Sequence, residues 1–310
     1  MTSGNTADRQ RAVGVVAALI ATLIWSSWTV VSKMGVSSEL LAQDLAAIRF
    51  GLSGLLSVPI VLYFKPFRTM SPWRVAALAA TGGIPYVLLL YFGFEFAPAS
   101  HAGVLVNGLV PAVTVAYRSF ATSSKPRTSE VTGVLCILAG VTLVVAVTSG
   151  SNGAHLVGDS MFIAAAFLFA GFLSLSAKWK AGPAQILFAL SLVGGLIYLP
   201  IWWLVLPTTL LTVPPSAILL QALYQGLLAP MVGMLLIALA TARTGPVMVA
   251  TVLSSVPILS AVLAAMWLDE RIAAAGWIGI GLATAGVLFT IRSNAQRITM
   301  QTVGNGVVRT

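Results

Sequence analysis

The chain contains the same pattern twice. Residues 99–149 align without a gap on residues 245–295, which sets Pro111 on Pro257, Gly133 on Gly279 and Ala139-Gly140-Val141 on Ala285-Gly286-Val287. Neighbouring offsets pair Pro85 with Pro230, and Gly54, Leu55 and Pro59 with Gly195, Leu196 and Pro200. Each copy holds five apolar segments, an odd number, so the second copy must cross a membrane in the opposite sense to the first. Inverted repeats of this kind build transporters, in which two half-domains rock about a site near the bilayer midplane.

Composition agrees with a life in lipid. A soluble surface needs charge on roughly a quarter of the residues, and here 8% are charged and 58% hydrophobic. The apolar residues fall into ten runs of about twenty, the length that crosses a hydrocarbon core of roughly 30 Å as a helix. They cover 12–33, 41–63, 74–97, 99–120, 130–149, 156–177, 184–206, 216–240, 244–268 and 273–292, numbered below as spans 1 to 10. Runs this long are helical rather than barrel strands, because lipid offers the backbone no hydrogen-bond partners. The expected fold is therefore an all-α membrane protein, ten transmembrane helices as two inverted five-helix repeats around a central cavity. Its parts are an N-terminus (1–11), a first repeat (12–149), a Gly-rich linker (150–155), a second repeat (156–292) and a polar tail (293–310). Span 1 is too long for a signal-peptide core and lacks a small-x-small cleavage site, so it reads as an uncleaved span. The lone Cys136 reads as a packing residue.

The net charge of +9 orients the chain rather than binding nucleic acid. With the N-terminus in the cytoplasm, fourteen Lys and Arg fall on that side and two, Lys33 and Arg271, on the other. That bias is the positive-inside pattern. It places both termini in the cytoplasm; the expected location is a bacterial inner membrane.

Walking the two copies together picks out candidate cavity residues. Trp25, Trp28 and Ser32 align with Phe169, Phe172 and Ser176, and three- and four-residue spacing sets them on one helical face. Trp25 lies about thirteen residues into its span, roughly 20 Å by helical rise, deeper than a near-side aromatic belt and short of the far one. An interfacial belt and a cavity lining are both open readings for this face. Span 3 carries Gly82, Gly83, Pro85 and Tyr86, and span 8 carries Gly226 and Pro230. A mid-helix proline frees a carbonyl, and such breaks at matched positions point to a binding site; packing kinks are the alternative. Asn107 shares a stripe of span 4 with Pro111, whose mate in span 9 is Pro257. Asn107, Gln221 and Gln225 need polar partners in hydrocarbon, from another helix or from a substrate. Spans 5 and 10 are rich in glycine, which suits close packing or a dimer face.

Arg49 is the one charge well inside a span, roughly 9–12 Å from the outer surface. Burying it costs at least about 2.5–3.5 kcal/mol, so it must face a partner or water. Its repeat-mate is Leu190. One reading is an internal ion pair with Asp44 or Glu95; the other is a clamp for a substrate carboxylate. Other chemistry is thinly represented. No carboxylate sits deep in a span, no GxxxxGK[ST] loop signals ATP, and two His, one Cys and no HExxH motif speak against a metal site. No cofactor is called for, and an enzyme or scaffold has little to stand on.

Gly14, Trp25, Lys33, Arg49-Phe50, Ala99, Pro111 and Gly133 through Val141, with Gly245, Pro257, Asp269-Glu270, Gly279 and Ala285-Gly286-Val287 in the second copy, resemble the EamA family of the drug/metabolite transporter superfamily. Within it the chain is most similar to YddG-type exporters of aromatic and neutral amino acids. The resemblance implies ten helices, cytoplasmic termini, a central cavity and export of amino acids or related metabolites. The family's acidic residue after the fourth span of a repeat is present as Glu270, but the first copy has Ser124 there. Together these observations predict a substrate cavity of Trp25, Arg49, Tyr86, Asn107, Phe169 and Gln225, lined by spans 1, 3, 4, 6, 8 and 9. Its helix breaks would be Gly82, Gly83, Pro85, Pro111, Gly226, Pro230 and Pro257. The partners are a small molecule and the bilayer, with the protein a monomer or weak homodimer. Efflux of other metabolites or drugs, and nucleotide-sugar transport, are the alternatives.

Overall fold

A computed structural model describes residues 3–38, 40–123, 125–148 and 154–307. Glu39, Ser124 and most of the linker lie outside the described residues. Among those described, ten helices or helix pairs are long and apolar enough to cross a membrane. They are Arg9–Ser37, Ala42–Phe64, Pro72–Phe96, Ala99–Ala121, Thr128–Val147, His155–Trp179, Pro183–Val205, Pro215–Thr244, Pro246–Trp267 and Ala274–Ser293. Each corresponds to one expected span. The helix of span 10 runs on without interruption to Val307, through the residues read as a tail.

The boundaries have local causes. Pro72, Pro183, Pro215 and Pro246 each stand in the first turn of a helix, where the missing N–H breaks no bond and the fixed φ suits the turn. Span 2 ends on Lys65 and span 4 on Ser123, both in the left-handed conformation usual for a helix-terminating residue. Ser123 and its mate Asp269 share that conformation, at φ 50° and 52°.

Glycine contacts reveal the symmetry directly. A Cβ on Gly133 would fall 2.8 Å from Gly286 O, and one on Gly279 would fall 2.8 Å from Gly140 O. Gly133 is the mate of Gly279 and Gly140 the mate of Gly286, so these are one contact seen twice. The same holds between spans 2 and 7, where Gly54 meets Ser191 O at 3.1 Å and Gly195 meets Phe50 O at 2.9 Å. A pseudo-two-fold axis therefore relates the halves, and the backbones touch where it requires small residues. Gly133, Gly140, Gly279 and Gly286, read from sequence as packing residues or a dimer face, are engaged inside the protein, joining span 5 to span 10.

With ten spans, the termini and the loops after even-numbered spans share one end of the bundle, here the termini end. The loops after odd-numbered spans share the other. Carboxylates knit the halves together at this odd-loop end. Asp44, fully buried, accepts from Trp202 Nε1 at 2.8 Å and from the Thr209 amide at 2.9 Å and hydroxyl at 3.0 Å. Glu270 takes the Ala99 and Ser100 amides at 2.6 and 3.1 Å, capping span 4 where the orphan N–H groups and the helix dipole favour an anion. His101 Nδ1 meets Asp159 Oδ1 at 2.7 Å. At the termini end, cross-half bonds among the described residues include the neutral pairs Ser129 to Ser293 at 2.7 Å and Gln185 to Thr69 at 3.1 Å.

Candidate functional site

A cavity of about 300 Å³ lies between the halves. Its wall comes from spans 1, 2, 3, 4, 6, 7 and 8, and includes Trp25, Trp28, Arg49, Tyr86, Asn107 and Phe169. Span 9, expected on the wall, contributes no described residue; span 2 adds Phe50 and Ser53 to the expected Arg49, and span 7, not expected, contributes Ile186, Leu187, Leu190 and Ser191. Ile186 and Leu187 belong to the first turns of span 7, so the cavity extends toward the termini end.

Aromatic rings form the walls. Tyr86 lies nearly parallel to Phe169, with ring centroids 5.0 Å apart and planes inclined by 16°. Phe169 continues the stack onto Phe172 at 5.7 Å. These are offset-stacking separations, and Gly82 permits them: a Cβ there would stand 2.7 Å from the Phe172 ring. Opposite, Trp25 donates its indole N–H to Ala229 O at 3.3 Å, within the wide π-helical stretch Ala222–Val232 of span 8. Gly233 N–H reaches Leu228 O, five residues back. Pi-helical segments of this type occur often at functional sites.

The guanidinium of Arg49 lies 5.6 Å from the Trp28 ring centroid, within cation–π range. Its Nη1 is buried without a hydrogen-bond partner, and no carboxylate among the described residues comes within ion-pair distance of it. The internal pair considered from sequence is therefore not formed. Asp44 is saturated by Trp202 and Thr209, and Glu95 lies 3.4 Å from the Ala42 amide.

Gln225 stands behind the wall rather than on it. Its Oε1 accepts from Trp28 Nε1 at 2.5 Å and Tyr91 OH at 2.7 Å. Its Nε2 donates to Ser32 Oγ at 2.9 Å and Gln221 Oε1 at 3.0 Å, and Gln221 in turn donates to Val31 O at 2.8 Å. All four hydrogen-bonding positions of the fully buried amide are filled. The group fixes the edge of the Trp28 ring on which Arg49 lies.

The expected helix breaks separate into types. Gly82 and Pro230 line the cavity. Span 3 parts at Gly83, so Pro85 enters the first turn of Ile84–Phe96. Gly226 is a packing contact, where a Cβ would fall 2.5 Å from Leu52 Cβ. Pro111 stays inside an unbroken helix, whereas Pro257 opens the second helix of span 9. Trp28, Phe172 and Leu190 were within reach of the sequence: each is the mate of, or has as its mate, a wall residue. Carrying Arg49 across the repeat to Leu190 would have placed span 7 on the wall.

No group of three or more His, Cys, Asp or Glu among the described residues could hold a metal ion. A crystal structure 19% identical to this chain superposes with a TM-score of 0.62, covering 90% of this chain and 96% of its own. At that identity it speaks for the fold. No curated protein matches. The family profile described as "EamA-like transporter family" matches residues 12–146 and again 156–292. The chain belongs to the EamA-like transporter family: it is a multi-pass membrane transporter, and not an enzyme.

Proposed function

We propose that the protein exports amino acids, aromatic and neutral ones included, or closely related carboxylates across a bacterial inner membrane, in the manner of YddG-type exporters. The observation that carries this reading is Arg49: a buried guanidinium with an unpartnered nitrogen on the wall of an aromatic cavity. A carboxylate bound there would supply the missing partner and offset the cost of the buried charge. The ring of the substrate would enter beside Tyr86 and Phe169, and Asn107, which makes no hydrogen bond among the described residues, is available to orient it. A volume of about 300 Å³ is at the small end of the roughly 300–1,000 Å³ typical of ligand sites. It suits one compact metabolite better than a nucleotide sugar. Alternating access would come from rocking the halves, with the carboxylate bonds of the odd-loop end breaking as that end opens. Charge bias supports placing the termini in the cytoplasm.

The test is counterflow of labelled phenylalanine into proteoliposomes, competed with unlabelled amino acids and with phenethylamine, which lacks the carboxylate. The proposal expects phenylalanine to compete at least tenfold better than the amine, and Arg49→Met to erase that preference. Equal competition by the amine in the wild type removes Arg49 as the anchor. No exchange with any amino acid, beside an active control carrier, removes the substrate class.

A further inference from the structure

Two turns from opposite halves meet at the termini end. One runs from Lys65 to Arg74 between spans 2 and 3; the other from Lys178 to Gln185 between spans 6 and 7. Phe67 packs against Phe188 with centroids 6.2 Å apart, Gln185 Nε2 donates to Thr69 Oγ1 at 3.1 Å, and Trp73 meets Trp179 edge-on at 4.9 Å. Together they carry Lys65, Arg68, Arg74, Lys178 and Lys180, and no carboxylate.

Arg74 is the centre of this arrangement. Its guanidinium carbon lies 5.5 Å from the Trp73 ring centroid and 5.6 Å from that of Trp179. Its Nε is buried and has no hydrogen-bond partner. No acid among the described residues pairs with any of the five cations. The residue sits in the first turn of the helix Pro72–Gly82, so the helix dipole also favours an anion beside it. Trp73 is 59% exposed, and Tyr63, Phe64 and Phe67, at the end of span 2 and in the turn after it, are also exposed. Tryptophan at the end of a span is a headgroup-level residue.

We propose that this inter-half cluster is a binding site for an anionic phospholipid, with the phosphate on Arg74 and the acyl chains along the exposed aromatic surface. Basic pockets between helices at the cytoplasmic face select anionic headgroups in this way. A free phosphate satisfies the same cations but gains nothing from the apolar surface, and this distinguishes the two sources. Because the cations come from both halves, the bound lipid bridges them. The site is independent of the transported substrate.

The experiment titrates purified protein in detergent with phosphatidylglycerol, phosphatidylcholine or inorganic phosphate and follows the melting temperature. A ligand that binds only the folded state raises it as occupancy grows. Phosphatidylglycerol should raise it by several degrees more than phosphatidylcholine, and inorganic phosphate should leave it unchanged. Arg74→Gln should abolish the difference. Lys178→Gln/Lys180→Gln, both exposed, should fold normally and weaken phosphatidylglycerol binding several-fold, which keeps the test sound should Arg74→Gln fail to fold. Equal stabilisation by the two lipids overturns the proposal, as does an unaltered phosphatidylglycerol response in the double variant. Stabilisation by inorganic phosphate equal to that by phosphatidylglycerol overturns the lipid assignment.

Discussion

The matched prolines of the two halves sit in different backbones. In the first half, span 3 is interrupted before Pro85 and span 4 runs unbroken through Pro111. In the second half the order is reversed: span 8 carries Pro230 inside a continuous π-helical stretch, and span 9 is split before Pro257. Neighbouring residues explain the exchange. Gly83 takes φ −99° and ψ −126°, with the site of a missing Cβ hard against Ala79 O, and its mate is Leu228, which cannot follow it. Span 9 is broken at Ser254 and Ser255, whose hydroxyls bond back to Thr251 O at 2.6 Å and Val252 O at 2.7 Å. Such side-chain bonds compete with the helix ladder. Their mates Gly108 and Leu109 have no hydroxyl, and the helix continues. A proline thus marks where a helix can change course, and its neighbours decide how.

The largest expected effect comes from erasing that difference in span 3. Gly83→Leu brings in the residue of span 8, whose Cβ would collide with Ala79 O, so the backbone must shift to admit it. We expect a lower melting temperature and at least tenfold slower counterflow, while Leu228→Gly disturbs both less. Equal effects from the two would contradict the assignment of the break to Gly83.

Arg49→Leu, which makes the wall symmetric with Leu190, tests the other difference between the halves. Losing a charge-assisted hydrogen bond, about 1.5–3 kcal/mol, corresponds to roughly 10- to 150-fold weaker apparent affinity for a carboxylate substrate in counterflow. No carboxylate among the described residues pairs with Arg49, so its contact with Trp28 is lost but no ion pair, and the melting temperature should fall little; a marked loss would point to a structural role. Gln225→Leu strips the partners from Trp28, Tyr91, Ser32 and Gln221. It should lower the melting temperature, since each buried group left unsatisfied costs about 1–3 kcal/mol, and should affect transport less than Arg49→Leu does. The smallest effect belongs to Ser254→Ala/Ser255→Ala: without the competing hydroxyls span 9 should straighten, slowing amide hydrogen exchange across 250–258 with stability nearly unchanged.

The frame of the fold was legible because membrane spans and the repeat are written in long stretches of sequence. Ten apolar runs and the Gly133/Gly279 and Gly140/Gly286 matches located every span and anticipated the symmetry. The site was only partly legible. Trp25, Arg49, Tyr86, Asn107 and Phe169 stand out as polar or aromatic residues among aliphatic ones, whereas Leu187, Leu190 and Ile186 resemble any lipid-facing position. Gln225 is polar for the benefit of Trp28 and Tyr91, and composition cannot separate a residue that serves the wall from one that forms it. Nor does a proline pair tell which of its two helices breaks, because that depends on a glycine or a pair of serines nearby.

The most direct measurement of the central claim moves the charge across the axis. Labelled phenylalanine counterflow is compared in wild type, Arg49→Leu and Arg49→Leu/Leu190→Arg proteoliposomes. If the carboxylate is held by a guanidinium on the wall of a pseudo-symmetric cavity, Arg49→Leu loses most of the exchange and the double variant recovers a measurable part of it. Arg49→Leu protein that exchanges phenylalanine at the wild-type rate and affinity would contradict the account.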